Sequence, residues 1–399
     1  MLTSLALIFI VGLAMGAICS RLKLPRIIGM LVTGIVLGPY VLDFLDPSIL
    51  SISEELRKMA LIIILLKAGL SPDIKDLKKA GRPAILLSFV PATCEIIGYI
   101  LFAPAILGIN MIEAAVMGAV LGAVSPAVVV PRMVNLMDRK YGTQKAIPQM
   151  IMAGASCDDI FVIVLFTMFL SMAQGGSAQI LDFVNIPVSI ILGILLGAVV
   201  GYGLYLFFET SYAHKHCVRN SMKVIIVLGF SFLLIAIEGW LKGKISVSGL
   251  LAVVSMACII KMKSTAFVSK RLSEKFGKLW LAAEVMLFVL VGAAIDIRYT
   301  LSAGIAAVLM ILVALIFRAI GVLICMIKTN LTWKERAFCV IAYLPKATVQ
   351  AAIGSVPLAS GLACGKIVLS VAVLAIIITA PLGTIGIDNT YKKFLQKES

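Results

Sequence analysis

The sequence predicts an all-α polytopic membrane protein with thirteen transmembrane helices. These form two inverted six-helix repeats with crossed, discontinuous helices. Three observations predict it. Of the 399 residues, 61% are hydrophobic and 14% charged, where a soluble domain carries about 25% charged residues. Apolar runs recur along the whole chain, with basic residues gathered in alternate loops. A short motif also returns at an offset of 223 residues.

About twenty apolar residues span a bilayer as a helix. Such runs lie at 3–20, 26–42, 57–70, 83–107, 112–136, 147–172, 186–208, 221–239, 246–262, 277–295, 300–326, 336–358 and 364–386, the third being the shortest. In the first, "MLTSLALIFIVGLAMGAICSRL", the first basic residue follows the apolar run, which argues against a cleaved signal peptide. An isoleucine before the cysteine makes "GAIC" a poor lipoprotein site. No stretch is long and polar enough for a soluble domain. The ending "KKFLQKES" is expected to carry no regulatory domain.

Loops after odd-numbered segments, with the C-terminal tail, hold 26 of the Lys and Arg residues, and the opposite side holds six. Lys67, Arg318 and Lys346 lie within segments. The positive-inside rule puts the N-terminus outside and the C-terminus in the cytoplasm; the membrane expected is the inner membrane of a prokaryote. The net charge of +15 is then a topology signal, and no nucleic-acid partner is expected. The eight cysteines form no CxxC pair or Cys/His metal spacing, so neither a disulfide framework nor zinc is expected. His214 and His216 sit in a polar loop and are not expected to bind metal. No Walker loop, GxGxxG with a following strand, or HExxH is present. The expectation is a transporter driven by an ion gradient, without cofactor, and not an enzyme.

Shifting "KAGLSPDIKDLKKAG" by 223 onto "LVGAAIDIRYTLSAG" superposes Gly69 on Gly292, Asp73 on Asp296 and Lys75 on Arg298. This pairs segment three with segment ten, and an odd number of segments between repeats inverts the second, a signature of secondary transporters. Segment five is interrupted at Ser125-Pro126 ("GAVLGAVSPAVVVP") and segment twelve at Pro345-Lys346 ("IAYLPKATVQAAIGS"); Ser125 plus 223 is Thr348. Proline removes a helix hydrogen bond, and the freed backbone groups need a cavity or a protein partner. Two ordinary proline kinks read the same locally. The paired positions and the lysine at one break favour a crossed-helix site.

Charges at membrane depth are costly and mark function. The candidates are Glu95, Asp158, Asp159, Arg318 and Lys346; Glu113 and Glu238 lie near segment ends, and Lys67 and Glu284 have no assigned role. Glu95 and Arg318 differ by 223, which places them at equivalent points of segments four and eleven, able to meet as a buried ion pair. That pair reads equally as a bridge locking the bundle and as part of the transport path. Asp158 and Asp159 stand about 100° apart on a helix. Two neighbouring carboxylates disfavour double ionisation, while a hard cation prefers oxygen ligands, so proton and Na⁺ or Li⁺ compete for the same oxygens. Ser125 and Ser156 can add hydroxyl ligands, with a backbone carbonyl near Val124.

"GAVSPAVVVP" (122–131), "GASCDDI" (154–160) and "LPKATVQAAIGS" (344–355) closely resemble the monovalent cation/proton antiporter superfamily. The nearest likeness is to its aspartate-pair branch of NapA-like and NHA-type sodium/proton exchangers, with the NhaA-like fold. The resemblance implies a homodimer. Its division would be 1–82 and 211–299 as dimerisation helices, 83–173 and 300–389 as the ion-transporting core, 174–210 as a linking helix and 390–399 as a cytoplasmic tail. The core would slide like an elevator. The resemblance also implies that Asp159 is the principal carrier, with Asp158 a neighbour contesting Arg318 with Glu95. Lys346 would offset partial charge at half-helix C-termini. Arg318 stands where many bacterial members carry lysine, and arginine releases no proton. The expected activity is Na⁺ (or Li⁺)/H⁺ antiport for pH homeostasis. The alternatives are a K⁺/H⁺ antiporter of the same fold, a sodium-coupled organic-anion symporter and an ion channel.

Overall fold

The structure is a computed structural model and describes residues 1–22, 24–70, 74–175, 180–213, 219–241, 247–296 and 304–397. Among the described residues the regular elements are helices, with one isolated β-bridge between Tyr141 and Lys397. In chain order the helices are α1 (Leu2–Arg21), α2 (Arg26–Leu37), α3 (Pro47–Ser51), α4 (Ser53–Leu70), α5 (Ile74–Leu87), α6 (Val90–Leu107), α7 (Met111–Gly122), α8 (Pro126–Asp138) and α9 (Ile147–Gln174). They continue as α10 (Ile180–Ala213), α11 (Asn220–Leu241), α12 (Gly249–Lys263), α13 (Ala266–Ala293), α14 (Gly304–Cys325), α15 (Trp333–Ala342), α16 (Thr348–Gly354), α17 (Val356–Ala359) and α18 (Gly365–Phe394).

Local chemistry sets the ends. Asn110 and Glu113 form a capping box on α7, and Thr332 and Glu335 form one on α15, each satisfying orphan N–H groups of a first turn. Predicted segment two stops at Leu37, where Gly38-Pro39 breaks the run and Asp43 takes a left-handed turn conformation. Segment four is divided: α5 kinks at Gly81 (φ 76°), and a turn at Ser88–Phe89 precedes α6. Segment ten starts earlier than read, at Ala266.

Among the described residues, nine helices or joined helix pairs are long and apolar enough to cross a membrane. The other predicted segments fall on α2, α4, α12 and the divided run α15–α17. Of the repeat motif, residues 71–73 and 297–303 lie outside the described residues, as do His214 and His216.

The chain divides into two compact units. One holds Lys58–Pro72 and Ile163–Glu284. In it α10 lies along α12, because Gly193, Gly197 and Gly201 bring the α10 backbone onto the carbonyls of Ser248, Ala252 and Met256. This is the small-residue packing of membrane helices. Glu238 accepts from Gly249 N–H at 3.1 Å at the start of α12. Lys67 lies over the Trp280 ring, 5.7 Å from its centroid, while Glu284 is buried.

The other unit comprises Met1–Arg57, Asp73–Val162 and Val285–Ser399. It contains both helix breaks. Here α6 packs along α14 and α7, and α15, α16 and α17 pack on α18. The chain end is tied in. Gly142 N–H donates to Gln396 O at 2.8 Å, Leu395 is buried, and the Tyr141 and Tyr391 rings meet edge-on at 5.0 Å. These contacts fix the loop that joins α8 to α9, the helix carrying the aspartate pair.

Candidate functional site

The two interruptions predicted from proline are real breaks, and they touch. Helix α7 ends at Gly122 and α8 starts at Pro126; α15 ends at Ala342 and α16 starts at Thr348. Proline at a first helical position loses nothing, since its absent N–H is an orphan there. Ser125 N–H donates to Pro345 O at 2.8 Å, joining break to break. Lys346 N–H donates to Thr379 Oγ1 on α18 at 2.9 Å.

Two cations close the exposed carbonyl ends. Lys346 Nζ donates to Leu121 O at 2.5 Å, and Arg318 Nη1 donates to Gly122 O at 2.5 Å, both at the C-terminus of α7. Arg318 Nε donates to Tyr343 O at 2.5 Å, just beyond α15. Positive charge is favourable there, because unsatisfied carbonyls give a helix C-terminus a partial negative charge.

Glu95 lies between the same cations, accepting from Arg318 Nη1 at 2.7 Å and from Lys346 Nζ at 2.5 Å. All three side chains are buried. A buried ion pair is tolerable only with good geometry and satisfied remaining hydrogen bonds. The approach of α6 to α14 provides the geometry. Three residues beyond Glu95, Gly98 faces the Phe317 ring; three beyond Arg318, Gly321 faces Pro91 and Cys94. Residues three apart share a helix face, so each glycine clears room for the charge beside it.

A Cβ at Gly321 would stand 2.8 Å from Pro91 Cα, whereas one at Gly98 would stand 2.9 Å from the Phe317 ring. Backbone yields less than a side chain, and overpacking costs about 1–3 kcal/mol. Gly321→Ala is therefore expected to melt at a lower temperature than Gly98→Ala in detergent, both below wild type. The reverse order, or two wild-type melting points, would refute this packing argument.

The aspartate pair lies mid-way along α9. Asp158 is sealed, with 0% exposure; Asp159 keeps 6%. Asp158 Oδ2 accepts from Val124 N–H at 2.7 Å and lies 3.5 Å from Arg318 Nη2. Asp158 Oδ1 and Ser125 Oγ are buried without a hydrogen-bond partner among the described residues. The side chain of Ser156 lies outside the described residues.

The structure thus brings Glu95, Arg318, Lys346 and Asp158 into one cluster, with Ser125, Pro126 and Pro345 at the crossing. Arg318 serves Glu95 and Asp158 together, at 2.7 and 3.5 Å. Near Val124, where a carbonyl ligand is expected, the Val124 N–H faces Asp158 and the Ala123 carbonyl accepts from Gln350 Nε2 at 2.7 Å. Gln350 and Thr379 were not singled out. Their signal was a polar residue inside an apolar run, which is weak alone. The recurrence of Gly98 at Gly321, again 223 residues on, was a stronger sign that α6 and α14 pack closely.

Among solved structures, the chain is similar to the sodium proton antiporter MjNhaP1 from Methanocaldococcus jannaschii at pH 8. The TM-score is 0.80 at 19% identity, with 98% of both chains covered. A second structure, from an electron-microscopy map of the same antiporter, gives a TM-score of 0.72 at 21% identity, covering 96% of this chain and 94% of that one. The chain shares the helical fold of that polytopic membrane protein. Residues 5–393 match the family described as "Sodium/hydrogen exchanger, transmembrane". "Sodium/hydrogen exchanger 9B2" of Homo sapiens is 34% identical over 394 residues, covering 94% of this chain and 70% of its own. "Sodium/hydrogen exchanger 9B1" of Homo sapiens is 31% identical over 381 residues, covering 91% and 71%. The chain belongs to the sodium/hydrogen exchanger family, within the monovalent cation/proton antiporter superfamily.

Proposed function

We propose that this protein exchanges Na⁺ (or Li⁺) for H⁺, with Asp159 as the group both occupants share. The supporting observation is a charge count. Glu95 and Asp158 carry two negative charges and Arg318 and Lys346 two positive, all buried and linked in a chain of three ion pairs. Their formal charges cancel, a condition for keeping them in a dry interior. Asp159 is the next residue along α9 and, unlike Asp158, keeps some exposure. A carboxylate there takes either a proton or a monovalent cation, never both at once, and that exclusion is antiport. Asp158 supports the cation with its second oxygen, and the Ser125 hydroxyl and Ser156 complete the oxygen set.

In this reading the protein has thirteen membrane segments as two inverted repeats, N-terminus outside and C-terminus cytoplasmic, in a prokaryotic inner membrane. It acts as a homodimer. The core of 83–173 and 300–389 slides as an elevator, exposing Asp159 to each side in turn. Lys346 and Arg318 offset the half-helix carbonyls in both positions.

Reconstitution tests the proposal. In proteoliposomes loaded with a pH-sensitive dye, Na⁺ or Li⁺ added outside is expected to drive saturable proton efflux. Repeating the measurement under a valinomycin clamp reads the charge carried per cycle. A response to K⁺ alone would reassign the cation, and proton flux that requires an organic anion would replace the antiporter with a symporter. Uncoupled, non-saturating conductance would make it a channel.

A further inference from the structure

Among the polar side chains of "LPKATVQAAIGS", Gln350 bonds to both helix breaks. Gln350 is fully buried in the first turn of α16. Its Oε1 accepts from Ala347 N–H at 2.8 Å, the half of a capping box that a third helical residue supplies. Its Nε2 donates to Ala123 O at 2.7 Å and lies 3.5 Å from Leu121 O. An amide N–H only donates and a carbonyl only accepts, so these partners admit one orientation of the carboxamide.

Ala123 O belongs to the peptide unit whose N–H is that of Val124, and Val124 N–H donates to Asp158 Oδ2 at 2.7 Å. A trans peptide is planar, with its C=O and N–H pointing in opposite directions. Fixing the oxygen therefore fixes the direction of the N–H. A hydrogen bond to the oxygen also strengthens the N–H as a donor, because linked hydrogen bonds polarise one another.

We propose that Gln350 is a positioning residue for the exchange reaction, holding the Ala123–Val124 peptide with its N–H aimed at Asp158. One carboxamide then couples the start of the second half-helix to a carboxylate held at the first break. Loss of the Nε2 donor frees the peptide to turn, and Asp158 loses its shortest hydrogen bond. The inference rests on the aspartate-pair reading of the site.

Two substitutions in the full-length reconstituted protein test it. Gln350→Met keeps the length of the side chain and removes both hydrogen bonds. It is expected to raise the apparent KM for Na⁺ about tenfold, the effect of one buried hydrogen bond to a charged group. Gln350→Glu keeps the acceptor for Ala347 N–H, and its acid donates to Ala123 O only while protonated. It is therefore expected to match wild type at the acidic end of the active range and fall towards Gln350→Met at the alkaline end. A role in packing alone gives no such pH-conditional rescue.

The inference is overturned if Gln350→Met has the wild-type KM and pH profile, or if both variants lose exchange equally at every pH. Should Gln350→Met fail to fold, the acid-to-alkaline ratio of Gln350→Glu against wild type decides alone. Asp159→Asn separates the two ideas. If it retains exchange, the aspartate-pair reading fails; if it is inactive while Gln350→Met behaves as wild type, only the role of Gln350 fails.

Discussion

Asp159→Asn is expected to reduce proton-coupled Na⁺ transport to the level of protein-free liposomes. An asparagine amide nearly matches the carboxylate in shape, so the α9 backbone has no reason to move. It neither binds and releases a proton in the working range nor offers Na⁺ an anionic oxygen, so both occupants are lost together. Asp158 is poorly placed to substitute, because one of its oxygens is already held by Val124 N–H at 2.7 Å and faces Arg318 at 3.5 Å. Asp158→Asn is expected to be severely impaired with residual exchange, since Asp159 survives while the charge balance around Arg318 is broken. Dye-monitored exchange in liposomes, with melting temperatures as a control for folding, measures both. Retained coupled transport in a correctly folded Asp159→Asn protein would sink the mechanism.

Glu95→Ala and Arg318→Ala are expected to show the largest loss of stability. Removing one partner of a buried pair leaves an uncompensated charge, a loss of roughly 3–5 kcal/mol. For a chain of this size that corresponds to a melting temperature lower by roughly 4–6 °C. The two variants fail differently. Without Glu95, Arg318 and Lys346 face each other across the gap it filled. Without Arg318, the carbonyls of Gly122 and Tyr343 lose this donor and Glu95 keeps Lys346. The double alanine variant is expected to lose less than the sum of the singles, because neighbouring effects do not add. Fluorescence-detected melting in detergent reads all three. If both single variants melt as wild type does, the pair contributes nothing to the fold.

Much of the architecture was legible because apolar length and proline placement act locally. Each predicted apolar segment falls on one or more helices, since a long run of apolar residues has few other ways to satisfy its backbone in a membrane. Ser125-Pro126 and Pro345 marked the two breaks because a proline N–H is absent wherever the chain goes. Glu95 and Arg318 were matched by a sequence offset, and the structure joins them at 2.7 Å. Ends were read less well. The early start of α13 at Ala266 lies in a stretch of mixed polarity, where apolar periodicity gives no boundary.

By itself, then, the sequence determined that this chain is a helical membrane protein with two interrupted helices and a few charges too expensive to be idle. Beyond the Glu95–Arg318 pair, tertiary structure decided what these charges touch. Lys346 reaches Glu95 and Leu121 O because a long, flexible side chain takes its partner from whichever helix crosses within its span. Val124 presents its N–H, not its carbonyl, to Asp158 because the tilt of a peptide plane at a break is set by what grips its oxygen. That grip comes from Gln350, 227 residues away along the chain. No residue type encodes the direction of a peptide plane, so only the crossing of the two broken helices could settle it.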